Sequence, residues 1–267
     1  MMRLGLCTVT LAGPADPVGR RFLPMARRLG YDYIELPLAQ LMDLPDREFD
    51  EVRETLETLG LPCEAVNNFV PGSIPITGPD VDQETIRAYV RRALDRACRL
   101  GVRRVVVGSS GARNVPEGFD RSRAWDQLRE FLRLAGGEAA ERNVLLAIEP
   151  INHGESNIIN TTGEGRRLME AADSPCTGML VDYFHYVVEK DTPGEIWQLK
   201  GKLWHAHISQ PKGRVLPTRQ EAEEYREFFR ALKKIGYEDR LSVEGYSAFP
   251  ERDAEEALAA MRMLAAE

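Results

Sequence analysis

The sequence predicts an α/β protein folded as a single (β/α)8 TIM barrel that occupies residues 1–267 as one domain. Three observations predict it: short apolar, β-branched runs, amphipathic stretches between them, and four Leu-Gly or Ile-Gly pairs that close a helical stretch ahead of a new run. Strand–helix alternation repeated about eight times gives either an open doubly wound sheet or a closed barrel. No GxGxxG follows the first run and no P-loop occurs, which favours the barrel. Average domain size would divide 267 residues in two, but α/β barrels of about 250 residues count as one. No linker or low-complexity stretch splits the chain.

Taken in order, the expected strands are Arg3–Cys7, Tyr33–Leu36, Pro62–Asn67, Arg103–Gly108, Val144–Glu149, Gly178–Asp182, Leu203–Ile208 and Leu241–Glu244. The fourth, fifth, sixth and eighth are the clearest. Between Asp82 and Gly101, Ile86, Tyr89, Val90, Ala93, Leu94, Ala97 and Leu100 recur at three- and four-residue steps, the spacing of one helix face. Arg123–Glu141, Glu164–Ala172, Arg219–Ile235 and Asp253–Ala265 behave similarly. Gly30, Gly60, Gly101 and Gly236 supply the left-handed residue that ends a helix before the chain turns back. The long loops 68–81 and 109–120 follow strands, so a barrel places them on its catalytic face.

The net charge of −7 argues against a nucleic-acid partner, because neutralising phosphates needs a basic face. Four scattered cysteines without a CxxC read as reduced thiols, the N-terminus is too short for a signal segment, and no run approaches the roughly 20 apolar residues of a membrane span. A soluble cytoplasmic enzyme is expected, with no membrane partner and with homo-oligomerisation left open.

Glu149, Asp182, His207 and Glu244 each end an apolar run, separated by 33, 25 and 37 residues. A βα unit takes roughly 30 residues, so these are consecutive strand ends around half a barrel, where side chains point into the mouth. One acid at a strand end is more often a helix cap or a solvated group. Three carboxylates converging on one mouth would repel until one protonated, and a divalent cation removes that conflict. Three carboxylates with one imidazole suit Mn2+ best, with Mg2+, Co2+ or Zn2+ also accommodated. His205, two residues before His207, points to the same side one layer down, as a buried, hydrogen-bonded imidazole behind the site.

Four segments resemble motifs of the xylose-isomerase-like sugar isomerase/epimerase superfamily: Glu149-Pro-Ile-Asn152-His-Gly-Glu155, Asp182-Tyr-Phe-His185, Trp204-His-Ala-His207 and Ser242-Val-Glu244-Gly. The ketose 3-epimerase and hydroxypyruvate isomerase groups look nearest. The resemblance implies one divalent metal on Glu149, Asp182, His207 and Glu244, with the two glutamates also shuttling a proton. It implies Asn152, Glu155 and His185 as substrate-side residues, together with an arginine beyond the histidine. The ketose epimerases carry that arginine where this chain has Gly213; Arg214 follows it.

The chemistry is also readable from the residues. A metal chelated by a carbonyl and its neighbouring hydroxyl acidifies the C–H between them, and two carboxylates on opposite sides can remove and return the proton. Return to the same carbon inverts it; return to the adjacent carbon isomerises aldose and ketose. Ketose 3-epimerisation is favoured, with aldose–ketose or hydroxypyruvate-type isomerisation and keto-inositol dehydration as alternatives. An endonuclease IV-type nuclease would need more than the four histidines present, and a non-catalytic sugar binder would lack an acid or a ligand. Gly108-Ser-Ser-Gly111 with Arg113 reads as a turn before a phosphate cradle, and Lys212 as a solvated loop charge. Glu35, Asn67 and Asn68 are expected to line the pocket, and Trp204 to pack beneath helices.

Overall fold

A computed structural model, describing residues 2–267, has eight parallel strands closed into one barrel in chain order. They are β1 (Arg3–Cys7), β2 (Tyr33–Pro37), β3 (Cys63–Asn67), β4 (Arg104–Val107), β5 (Leu145–Ile148), β6 (Thr177–Asp182), β7 (Leu203–Ile208) and β8 (Arg240–Val243). Closure is made by β1 on β8, with Arg3 opposite Arg240 and Leu6 opposite Val243. All eight expected strands are present, with shifts of a residue at several ends. β5 and β8 stop one residue early, so Glu149 and Glu244 stand just beyond them. Their backbone N–H groups still bond to the neighbouring strand, at Val107 (3.2 Å) and Ile208 (3.0 Å). Both side chains are therefore aimed as strand residues are.

The expected amphipathic stretches form the helices Gln83–Arg99, Arg121–Ala140, Thr162–Ala172 and Pro250–Ala266. Arg219–Ile235 instead divides into a 3-10 turn, Arg219–Glu221, and the helix Ala222–Lys234. Gly30 and Gly60 cap their helices at φ 89° and 60°. Gly101 and Gly236 are left-handed one residue past the caps Leu100 and Ile235 of theirs. Short helices that periodicity does not reveal follow β2 (Leu38–Asp43), β4 (Ser110–Arg113) and β6 (Tyr183–Val188). One or two turns hold too few residues to show a 3.6-residue period.

Strand alternation separates two interiors. Leu6, Ile34, Val66, Val105, Leu146, Val181, Ile208 and Val243 belong to the large apolar layer between the strands and the helices. Inside the barrel only Val106, Ala147 and Leu180 form an apolar cluster. Beyond that cluster the interior carries polar and aromatic groups, among them the fully buried Tyr33, Glu35, His205, His207 and Ser242. Trp204 lies outside, its ring against the backbone of Gly178 on β6, as its alternation from His205 and His207 predicts. Among the described residues no helix is long and apolar enough to cross a membrane.

Candidate active site

The strand ends bring Glu149, Asp182, His207 and Glu244 together, one ligand atom from each lying within 4.8 Å of the others, and all four residues buried. His207 Nδ1 faces Glu244 Oε2 at 2.7 Å and Glu149 Oε1 at 3.2 Å. Asp182 ends β6 and also caps the helix behind it: its Oδ1 accepts from the N–H of Phe184 at 2.9 Å. Its Oδ2 is buried without a hydrogen-bond partner, with His185 Nε2 at 3.5 Å and Arg214 at 3.6 Å. A hard set of three carboxylates and one imidazole, one oxygen of which lacks a donor, fits a divalent cation.

The electrostatics show how much negative charge this mouth concentrates. Burial pushes the Asp182 carboxyl up to about 6, against the pull of Arg214 and with a push from Glu244. Burial opposes a charged His207, yet Glu35 and Glu244, with hydrogen bonds to Glu149 and Glu244, raise it well above its ordinary value. Burial likewise opposes a charged Glu244, but His207 and Arg214 hold its carboxyl below the usual range.

Gly108 shows why the turn after β4 has its sequence. A Cβ there would collide with the Glu149 carboxylate, so the missing side chain makes room for that group. The Gly-Ser-Ser-Gly segment leads from β4 into the short helix Ser110–Arg113, and the Arg113 guanidinium is engaged by backbone carbonyls. It is buried and donates to the carbonyls of Glu149 (2.8 Å) and Ile159 (3.2 Å), propping the backbone beneath the site.

A second group of side chains rims the cluster. Asn152 donates to His185 Nδ1 from its side chain (2.7 Å) and its backbone (3.3 Å). Two donors on Nδ1 leave the proton of a neutral ring on Nε2, which faces the mouth. Burial lowers the His185 pKa, although Glu149 pulls the other way, and favours that neutral ring. The Asn152 amide also donates to Glu155 Oε1 at 3.0 Å. Arg214 reaches Glu155 Oε2 (3.0 Å) and Glu244 Oε1 (3.3 Å), and stacks over Phe184 at 5.0 Å.

The loop carrying Arg214 is stapled down. Gln210 pairs with Val215, Val215 bridges Tyr246, and the N–H of Tyr246 donates to the Arg214 carbonyl at 2.7 Å. Gly213 and Arg214 both adopt positive φ, 82° and 50°, so the chain turns sharply and swings Arg214 over the mouth. Lys212 stays exposed.

Two expectations are corrected. Glu35 does not line the pocket: it is fully buried beneath it, with Oε1 2.9 Å from His207 Nε2 and Oε2 2.7 Å from His205 Nε2. Burial works against its charge, but His207 and His205 outweigh that and hold the carboxyl far below its ordinary value. His205 is the buried imidazole expected one layer down, and Glu35 is what joins it to His207. Asn68 serves a turn, with φ 47° and its carbonyl bonded to the N–H of Ala39. Asn67 points inward as expected, donating to Cys7 Sγ at 3.0 Å and leaving its Oδ1 free. The roles of Glu35 and Gly108 had one sequence signal each, a charge inside an apolar run and a glycine ending a strand. Neither signal names its partner.

Comparison with known proteins agrees with the barrel fold. A family model described as xylose isomerase-like TIM barrel matches residues 23–264. An L-ribulose 3-epimerase from Mesorhizobium japonicum is 27% identical over 259 residues, covering 93% of this chain and 82% of the relative. A probable ketose 3-epimerase from Synechocystis sp. is 24% identical over 230 residues, covering 83% of this chain and 76% of the relative. The crystal structure of D-psicose 3-epimerase with D-tagatose from Clostridium cellulolyticum H10 superposes with a TM-score of 0.85 at 20% identity, covering 99% of each chain. At that identity the structural likeness speaks to the fold.

Proposed function

The chain belongs to the xylose isomerase-like TIM barrel family, and within it we propose that it is a divalent-metal-dependent ketose epimerase inverting C3. The observation that carries this reading is the buried convergence of Glu149, Asp182, His207 and Glu244 inside 4.8 Å at the mouth of the barrel. Those four residues would hold the ion, with Mn2+ the favoured species for a mostly oxygen donor set. When bound, the ion supplies positive charge beside the ketose carbonyl and makes the neighbouring C–H acidic.

The protein's own residues do the rest. Glu149, at the end of β5, and Glu244, at the end of β8, are the two acid–base groups: one, as carboxylate, takes the proton at C3, and the other, starting protonated, delivers its own proton to the opposite face and is left as carboxylate. Both are buried, and between turnovers each recovers its starting protonation state by exchange with solvent, so the proton delivered to C3 is solvent-derived. Neutral His185 offers its Nε2–H to a substrate oxygen, held in that tautomer by Asn152. Arg214 and Glu155, paired across the mouth, grip further hydroxyls and cover the site. The curated relatives named as ketose and L-ribulose 3-epimerases support a free ketose as substrate.

The test is incubation of the Mn2+-loaded enzyme in D2O with a panel of free and phosphorylated ketoses, followed by NMR. Deuterium at C3 with inverted configuration is expected. Deuterium at C1 or C2 with aldose formation would replace this reading with an isomerase, and loss of water with a dehydratase.

A further inference from the structure

Beneath the proposed metal ligands lies a second layer of polar groups, wholly shut off from solvent. Glu35 leaves β2 and reaches across the barrel to β7, where Oε1 meets His207 Nε2 at 2.9 Å and Oε2 meets His205 Nε2 at 2.7 Å. From β8, Ser242 Oγ donates to the same Oε2 at 2.5 Å, and Tyr33 Oη lies 2.8 Å from that Oγ. Glu35, Tyr33, His205, His207 and Ser242 are all fully buried. A carboxylate in such a place is retained only if its oxygens are satisfied, and here two other strands, β7 and β8, supply the partners.

We propose that Glu35 is the positioning residue that makes Nδ1 of His207 the metal-facing atom. The inference rests on the metal site proposed above. A neutral imidazole carries its proton on one nitrogen and a lone pair on the other. The Glu35 carboxylate accepts at Nε2, so the proton stays there and the lone pair stays on Nδ1. Nδ1 is the nitrogen that faces Glu149 and Glu244. Rotating the ring by half a turn would place carbon toward the ligand cluster and strand Nε2 away from its acceptor.

Glu35 cannot follow such a rotation, because His205 and Ser242 hold its other oxygen. Together Glu35, His205 and Ser242 lock the ring in both orientation and tautomer. A carboxylate is required because three donors meet it: His207, His205 and Ser242. A glutamine would present an NH2 group to one of those donors, keeping the shape while losing part of the clamp.

The experiment measures Co2+ affinity by competition with a chromophoric chelator, alongside thermal unfolding of the metal-free protein. Partners behind a metal-bound histidine typically change metal affinity by about 10–100-fold, and Glu35→Ala is expected to weaken Co2+ binding within that range and to alter the visible Co2+ spectrum. Glu35→Gln is expected to weaken it less, and Ser242→Ala least. If Glu35→Ala does not fold, the isosteric Glu35→Gln carries the test. Wild-type affinity and spectrum in folded Glu35→Gln or Glu35→Ala, with only the melting temperature lowered, would show a structural role and overturn the inference. Wild-type protein that bound no Co2+ would overturn the metal reading itself, and this inference with it.

Discussion

At the face where the strands begin, Arg3, Arg104 and Arg240 alternate with Glu64 and Asp239. Glu64 Oε2 takes Arg240 Nε at 2.6 Å and Arg3 Nε at 3.2 Å, while Asp239 takes Arg104 at 2.6 Å and also pairs with Arg240. Arg104 further donates to the Trp204 carbonyl across the barrel at 3.0 Å. At the face where the strands end, Glu149, Asp182 and Glu244 crowd around one histidine, Arg214 spans the gap, and an Asp182 oxygen has no donor. Both faces carry several acids. In one arrangement each acid is paired with two arginines and the set plugs the barrel; the other keeps a surplus of negative charge that a cation would relieve. Pairing, rather than the presence of charge, separates the structural end from the functional one.

The sharpest way to break this comparison is to neutralise the surplus. Glu149→Gln and Glu244→Gln should each lower turnover by roughly 10²–10⁴-fold, the contribution of a general acid–base group, because an amide accepts no proton. Glu244→Gln also removes the charge that pairs with His207 and Arg214, so a modest fall in the melting temperature of the metal-free protein is expected with it. Steady-state kinetics beside calorimetry would decide; a large loss of stability with activity intact would reverse the roles assigned to the two faces.

A smaller effect comes from crowding one ligand without touching its chemistry. Gly108→Ala sets a methyl group against the Glu149 carboxylate, and a displacement of about 1 Å at a reacting group can cost on the order of 10²-fold in rate. Metal titration and kcat of this variant should fall together. Wild-type values would mean that the turn after β4 moves freely, and that the glycine is not there for Glu149.

The mildest effect belongs to the paired face. Arg240→Ala removes the shared partner of Glu64 and Asp239, each of which retains another arginine. A loss of about 1–3 kcal/mol in urea unfolding is expected, with kcat unchanged. A fall in kcat at constant stability would show that the plug communicates with the mouth.

Much of this architecture was legible in the chain because the signals are local. Apolar runs of five or six residues and helical spacing with terminal glycines need no knowledge of distant contacts. The three acids and one histidine at the strand ends were legible for the same reason: each closes its own run, and their spacing matches one βα unit. Asn152, Glu155 and His185 were placed by the motifs they sit in, and the structure sets them side by side at the rim.

Closure of the barrel decided the rest. It carries Glu35 from β2 under His207 on β7, a contact between residues 172 positions apart. No local pattern distinguishes a glutamate that lines a pocket from one that supports it. Closure also sets Gly108 against Glu149, and Arg113 under the Glu149 backbone. Arg214 reaches the mouth only because two successive left-handed residues and the staple to Tyr246 re-aim its loop. The sequence by itself determined which residues end the strands, because periodicity is a property of neighbours. Only the tertiary structure decided which of those residues meet, because contacts across a barrel depend on the register and closure of all eight strands.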